Sequence, residues 1–310
     1  MARPDKPTIT YPGARRPDRT RVVDAHGVKI AVYEWGDEDS PPIFLAHGGM
    51  DFAATWDLLA PKLADAGWRP VAWDQRGHGD SDHTALYSFE ADVRDALAVM
   101  DSVTRSPAPV IGHSKGAMVF MQLTEAVPHR VELLVNIDGI PGKAPKRDVI
   151  DYERGRFTAA DVSSWLDHRR AANLAVRKPG TLEELARRRQ LLNPRLDLKW
   201  LRYIAAIGGF EDDDGWRWKL DPLFRFGGFG PWRPLWAQLR MASLPVPMLG
   251  IMSTEPDAMG WGSEYDDVVA MMPAVHRLER YEGVGHFVQI EAPQRTAEDI
   301  FAFVEEHHVA

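Results

Sequence analysis

Short, predominantly apolar segments alternate with amphipathic segments over most of the chain. Such apolar runs are typical of strands that a parallel sheet buries on both faces. They occupy positions 42–46, 70–73, 107–111, 131–138, 247–252 and 276–281. The stretches 56–66 and 88–103 carry apolar residues at helical spacing, and 117–126 lacks proline and glycine. Because strands and helices alternate, the pattern predicts an α/β fold with a doubly wound, mostly parallel sheet.

The two ends of the chain extend this pattern. Residues 1–19 hold four prolines and four arginines and predict an arm on the surface. Two strand-like runs, 20–24 and 28–35, follow and predict a β-hairpin. At the other end, 293–307 has an apolar stripe at helical spacing and predicts a final helix.

The alternation stops between residues 141 and 244. This region predicts helices at 159–174, 182–192 and 198–206 and holds six of the eleven tryptophans. An aromatic, glycine-rich stretch at 224–236 is interpreted as pocket wall, with Arg225 and Arg233 as anchors for a polar group. Because the strand pattern resumes afterwards, the sequence predicts an arm (1–19), a core (20–140 and 245–310) and a helical cap inserted after the sixth strand (141–244).

Composition narrows the class of protein. The chain has 310 residues, of which 45% are apolar and 26% charged, as in globular proteins. Its net charge of -8, with basic residues spread along the chain, argues against a nucleic-acid partner. No run approaches the roughly 20 apolar residues of a membrane span, and the polar start predicts no secretory signal, so a cytoplasmic location is expected.

Metal and thiol chemistry find little support in the composition. The absence of cysteine excludes disulfides, thiolate catalysis and cysteine-based metal sites. The eleven histidines form no helical pair with metal-ligand spacing. The sequence therefore predicts neither a metal nor a cofactor.

The stretch Gly112-His113-Ser114-Lys115-Gly116 is the main candidate for chemistry. It lies between a predicted strand and a predicted helix, the setting in which Gly-x-Ser-x-Gly forms a nucleophile elbow. A serine on so sharp a turn has a strained backbone, and side chains two residues away on either side would collide with the neighbouring strand and helix. Gly112 and Gly116 remove those side chains.

Four ordered motifs, taken together, resemble the α/β-hydrolase superfamily. The cap segment 214–222 is similar to segments of its esterase-like and lipase-like branch. The motifs are His47-Gly48-Gly49, Asp74-Gln75-Arg76-Gly77-His78-Gly79-Asp80-Ser81, Gly112-His113-Ser114-Lys115-Gly116 and Gly283-Val284-Gly285-His286-Phe287. The resemblance implies that Ser114 is the nucleophile and that His286 is its base. Arg76, His78, Asp80 and Ser81 are then expected to fix the loop after the fourth strand.

The acid that orients His286 is left open between three residues. The resemblance places it just after the penultimate strand, where Asp257 is the preferred candidate. This chain departs from the family pattern there, because it lacks the usual glycine and its aspartate comes about one residue later. Asp138, after the sixth strand, is the alternative acid, although it can also be read as a turn residue before Gly139. Glu255 is the third candidate.

Two backbone N–H groups are expected to form the oxyanion hole, since negative charge develops on the carbonyl oxygen during attack. The resemblance assigns them to Gly49 and Lys115, with Met50 as the near alternative, and gives His47 a bracing role. The Lys115 side chain is expected to point to solvent or to a carboxylate. The competing hypothesis is that it favours acidic substrates.

These residues predict a serine hydrolase that cleaves an ester, lactone or related acyl bond of a small substrate with apolar or aromatic character. Serine at position 114 argues against epoxide hydrolase chemistry, which the resemblance associates with aspartate. The alternatives are a carbon-carbon bond hydrolase or perhydrolase using the same triad, and a ligand-binding protein with little turnover. The oligomeric state is left open.

Overall fold

The computed structural model describes residues 9–140, 151–174, 180–224, 240–260 and 262–308, without the side chains of 151–158 and 161. Within these residues an eight-stranded sheet contains β1 Arg19–Asp24, β2 Lys29–Glu34, β3 Pro42–Ala46, β4 Arg69–Trp73, β5 Ala108–His113, β6 Val131–Ile137, β9 Met248–Ser253 and β10 His276–Tyr281. The order of the strands in the sheet is β1-β2-β4-β3-β5-β6-β9-β10. β2 runs antiparallel to β1 and β4, and every other neighbouring pair is parallel. The predicted α/β class with a mostly parallel sheet is confirmed.

Helices connect the parallel strands. They are α1 Ala60–Asp65, α2 Phe89–Asp101, α3 Lys115–Ala126, α4 Asp151–Leu174, α5 Leu182–Leu192, α6 Leu198–Gly208, α7 Tyr265–Val269, α8 Val288–Glu291 and α9 Pro293–His307. The helix expected at 56–66 is shorter than predicted: a 3-10 turn covers Ala53–Trp56, and α1 begins only at Ala60, with Pro61 in its first turn. No helix among the described residues is long and apolar enough to cross a membrane.

Side chains alternate between two apolar cores, one on each face of the sheet. On β3, Phe44 and Ala46 join the core that includes α2 and α3, whereas Ile43 and Leu45 join the core that includes α1 and α9. This alternation follows from the twofold repeat of a strand. With both faces covered, the carboxyl ends of the parallel strands are the edge at which loops can form a site.

The buried face of α2 differs from the predicted apolar stripe. Ser88 caps the helix as expected, since its hydroxyl accepts a hydrogen bond from the backbone N–H of Ala91 at 3.2 Å. Asp92 and Asp95 are buried on this helix, whereas Val93 is only half-buried. The two carboxylates are buried because cations on neighbouring segments pair with them, which the spacing of apolar residues cannot predict.

Between β6 and β9 the described chain adds helices α4 to α6 and a hairpin of β7 Gly209–Asp212 and β8 Gly215–Trp218, which the sequence did not predict. Helices α5 and α6 contribute Leu185 and Trp200 to a third apolar cluster, which also contains Phe52 from the loop after β3. This part of the chain therefore packs over the carboxyl end of the sheet. Nearly all of the 224–236 stretch, including Arg225 and Arg233, lies outside the described residues. The boundaries of arm, core and cap stay predictions.

Candidate active site

Ser114 occupies a sharp turn between β5 and α3. Its backbone has φ 51° and ψ -117°, a conformation that non-glycine residues rarely adopt, and the residue is 4% exposed. A Cβ added to Gly112 would lie 2.3 Å from Ala117 Cα, and one added to Gly116 would lie 2.1 Å from the carbonyl oxygen of Ala46. The turn therefore requires glycine at both positions, for the steric reason expected from the sequence.

His286 lies in the loop between β10 and α8 and pairs with Asp138 at the end of β6. Asp138 Oδ2 is 2.6 Å from His286 Nδ1. The other carboxylate oxygen, Oδ1, accepts a hydrogen bond from the backbone N–H of Ser253 at 2.9 Å. Because a carboxylate only accepts, Nδ1 carries a proton in this pair, and in the neutral form of the ring Nε2 is an acceptor.

Nε2 of His286 is buried and has no hydrogen-bond partner among the described residues. The imidazole lies beside the turn, because its centroid is 4.7 Å from that of His113, the residue before Ser114. His113 Nε2 is 2.9 Å from the backbone oxygen of His286 and donates to it. Burial lowers the pKa of His113 well below its usual value, so this ring is neutral and acts as a support.

Asp257, the preferred acid in the sequence analysis, does not contact His286. Its Oδ1 instead accepts a hydrogen bond from the backbone N–H of Met259 at 2.8 Å, within its own loop. The Oε2 atom of Glu255 lies 3.6 Å from Nη1 of Arg195. All three candidate acids line one cavity of about 530 Å³, but the structure brings only Asp138 to the histidine. The expected Asp257–His286 contact is therefore corrected to Asp138–His286.

The glycine loop after β3 approaches Ser114 closely. A Cβ on Gly48 would lie 3.3 Å from the Ser114 Cβ. The N–H of Met50, the alternative oxyanion donor, is already directed at His78 Nε2 at 3.2 Å. The N–H of Gly49 has no hydrogen bond within the described chain, and Lys115, as the first residue of α3, has no intrahelical acceptor. Among the described residues, the N–H groups of Gly49 and Lys115 thus have no hydrogen bond, as oxyanion donors require.

Two neutral histidines hold this loop. His47 donates from Nδ1 to the Gly48 carbonyl at 2.7 Å and accepts the Gln75 N–H at Nε2 at 2.9 Å. His78 donates from Nδ1 to the Arg76 carbonyl at 3.0 Å. Burial lowers the pKa of His47 to about 3 and that of His78 well below its usual value. The contacts of His47 fit the bracing role expected for it, and the contact of His78 with Arg76 lies in the loop after β4 that His78 is expected to fix.

The Lys115 side chain turns into the protein. It is 4% exposed, and its Nζ lies 2.5 Å from Asp92 Oδ2 and 2.5 Å from Gln75 Oε1. The expectation that it reaches a carboxylate therefore agrees with the structure. Its charge is neutralised by Asp92, which leaves little basis for a role in selecting acidic substrates.

Sequence reasoning missed two residues near the site, Asp51 and Arg189. Asp51 is 4% exposed, its Oδ2 has no hydrogen-bond partner among the described residues, and burial raises its pKa. Arg189, in the last turn of α5, donates from Nη1 to the carbonyl oxygen of Met50 at 2.8 Å. The sequence offers no signal for Arg189, because it is the last of three consecutive arginines.

The described residues contain no group of three or more histidine, aspartate or glutamate side chains placed to hold a metal ion.

Comparison with known proteins decides the family. A profile of the alpha/beta hydrolase family matches residues 43–299, which is most of the chain. The chain belongs to this family. A thioesterase domain from the curacin biosynthetic pathway has the same fold, with a TM-score of 0.77 at 20% identity over 92% of this chain and 99% of that one.

Curated relatives differ in their reactions. Epoxide hydrolase A of Mycobacterium tuberculosis is 37% identical over 102 residues, covering 32% of this chain and 32% of that protein. An sn-1-specific diacylglycerol lipase of Mus musculus is 29% identical over 194 residues, covering 61% of this chain and 58% of that protein. The matches thus span about a third and just over half of these relatives. Membership identifies a hydrolase superfamily and leaves the substrate open.

Proposed function

We propose that this protein is a serine hydrolase that cleaves an ester, lactone or related acyl bond of a small molecule. The observation that carries the proposal is the 2.6 Å hydrogen bond between Asp138 and His286 Nδ1, together with the buried Nε2 of His286, which has no partner among the described residues and lies beside the strained Ser114 turn. A serine hydroxyl needs a neighbouring base to become a nucleophile, and a neutral imidazole with a free Nε2 supplies one.

In the proposed reaction, Ser114 Oγ attacks the substrate carbonyl carbon while its proton passes to His286 Nε2. Asp138 stabilises the imidazolium that forms. The N–H groups of Gly49 and Lys115 stabilise the oxyanion. The intermediate collapses, the leaving alcohol takes the proton from His286, and an acyl-serine remains. Water then attacks the acyl-serine with the same base, which releases the acid and restores Ser114.

The Mycobacterium tuberculosis relative is named for epoxide hydrolysis. Serine at position 114 distinguishes the proposed reaction from that one. A neutral hydroxyl activated by a base suits attack on a carbonyl, whose developing charge the loop donors can stabilise. The diacylglycerol lipase and the thioesterase domain are named for acyl chemistry, which supports the same assignment.

Hydrolysis of short p-nitrophenyl esters tests the proposal. Ser114→Ala and His286→Ala are each expected to reduce kcat/KM by about 10^4-fold or more, because members of such a unit act together. The exposed Ser243 and His129 provide matched controls, and their alanine variants are expected to keep wild-type rates. Equal rates for the wild type and Ser114→Ala would contradict the proposal.

A further inference from the structure

Arg189 places a cation beside the proposed oxyanion loop. Its Nη1 donates to the carbonyl oxygen of Met50, the residue that follows Gly49. Its guanidinium carbon lies 5.7 Å from the ring centroid of Phe287, the residue after His286. Helix α5 therefore extends this side chain to the segments that carry the proposed base and one of the oxyanion donors.

Arg189 differs from its neighbours in having no carboxylate within ion-pair distance in the described chain. Asp51 and Asp257 influence it electrostatically, but neither forms an ion pair with it. Other cap-region arginines do form such pairs: Arg187 and Arg202 with Glu183, Arg195 with Glu291, and Arg217 with Asp212. Burial also lowers the pKa of Arg189, so the cation is held in surroundings that disfavour charge.

The free edge of the guanidinium has a defined shape. With Nη1 engaged by Met50, the N–H groups of Nε and Nη2 remain, and these form one side of the planar fork. Neither group donates a hydrogen bond to a described residue. Two parallel N–H groups match the two oxygens of a carboxylate, which is why arginine is favoured for bidentate recognition of this group.

We propose that Arg189 binds a carboxylate carried by the acyl substrate, so that the preferred substrates are esters or related acyl compounds with an acidic group near the scissile carbonyl. This inference rests on the proposed serine hydrolase function. Arg189, and not Lys115, then selects acidic substrates, because Asp92 neutralises the charge of Lys115 whereas Arg189 has no ion pair with a described carboxylate.

A matched pair of substrates tests the inference. Kinetics are measured with p-nitrophenyl butyrate and with the mono-p-nitrophenyl ester of glutaric acid, which carries a free carboxylate. Arg189→Met is expected to lower the ratio of kcat/KM for the acidic ester to kcat/KM for the neutral ester by about 10- to 100-fold. Arg189→Lys keeps the charge without the fork and is expected to lie in between. Arg187→Met, on the same helix, is the control and is expected to leave the ratio unchanged.

Two results would overturn the inference. An equal loss for both esters would mean that Arg189 only holds the Met50 loop in place, and an unchanged ratio would mean that it has no part in selectivity. Glutarate binding to Ser114→Ala, measured by calorimetry, gives a readout that needs no turnover: binding is expected and should be lost in Ser114→Ala/Arg189→Met. No glutarate binding to Ser114→Ala would also contradict the inference.

Labelling of wild-type Ser114 by a fluorophosphonate separates the two proposals. If Ser114 is labelled and the ester ratio does not depend on Arg189, the substrate inference fails and the serine hydrolase proposal stands. If Ser114 is not labelled, the proposed function itself fails.

Discussion

Asp138 Oδ2 lies 2.6 Å from His286 Nδ1, although 148 positions separate the two residues in the chain. Asp138 reaches this position in a left-handed backbone conformation, with φ 45°. The backbone N–H of Ser253, at the end of β9, holds its second oxygen. The carboxylate is therefore fixed by two strands of the sheet, which gives the histidine one orientation and one tautomer.

Replacement of the two aspartates should separate their roles. Asp138→Asn is expected to lower kcat/KM for p-nitrophenyl butyrate by about 10^2- to 10^4-fold, because the amide does not stabilise the imidazolium. Asp257→Asn is the matched control, since its carboxylate accepts a hydrogen bond within its own loop and none from His286 among the described residues, and it is expected to stay within about threefold of the wild type. A severe loss in Asp257→Asn with normal rates in Asp138→Asn would reverse the assignment.

The buried ion pair of Lys115 and Asp92 is expected to contribute to the free energy of unfolding. Both side chains are at most 5% exposed, so Lys115→Met leaves an unpaired buried carboxylate and is expected to lower the free energy of unfolding by about 3–5 kcal/mol. Lys115→Met/Asp92→Leu should recover most of that loss in urea titrations. In Lys115→Met, the preference between acidic and neutral esters is expected to equal that of the wild type. A changed preference would show that the ammonium influences the choice of substrate.

Stability is expected to fall as the pH drops from 7 to 6. The pKa values of His47, His78 and His113 are lowered by burial, that of His47 to about 3, so the unfolded chain takes up protons that the folded chain excludes. Each histidine then lowers the free energy of unfolding by about 0.7 kcal/mol between pH 7 and pH 6. Asp57 acts in the opposite direction, because burial raises its pKa to about 6.

The three histidines together lower the free energy of unfolding by about 2 kcal/mol and Asp57 offsets about 0.4 kcal/mol, so the expected net decrease is about 1.7 kcal/mol. Urea unfolding at pH 7.0, 6.5 and 6.0 measures it. The His129→Gln variant, at an exposed position, should show the same pH dependence as the wild type. A free energy that is constant or rises toward pH 6 would show that the buried histidines accept protons in the folded protein.

The strands and the serine turn could be predicted because they depend on local constraints. Apolar runs identify strands buried on both faces, and the glycines at 112 and 116 are required within a single turn. The contact between Asp138 and His286 could not be decided in this way. Both Asp138 and Asp257 follow strands of the same sheet, and the outcome depends on how the loop after β9 turns Asp257 back to Met259.

The buried charges could not be predicted for a related reason. Asp92 lies on α2 and Lys115 on α3, and the polarity of each alone favours an exposed position. Their burial depends on a partner that is close only in the folded chain. Arg189 likewise stands among similar arginines in the sequence, and its contact with Met50 depends on the folded chain.

Intact-mass analysis after fluorophosphonate treatment tests the central claim most directly, because it asks whether Ser114 is an activated nucleophile without requiring the natural substrate. The wild type is expected to gain one phosphonyl group on Ser114, and Asp257→Asn should react at a similar rate. Ser114→Ala and His286→Ala should remain unlabelled, and Asp138→Asn should react far more slowly. A wild type that stays unlabelled, or a Ser114→Ala variant that is still labelled at one site, would contradict the assignment of Ser114, His286 and Asp138 as a catalytic unit.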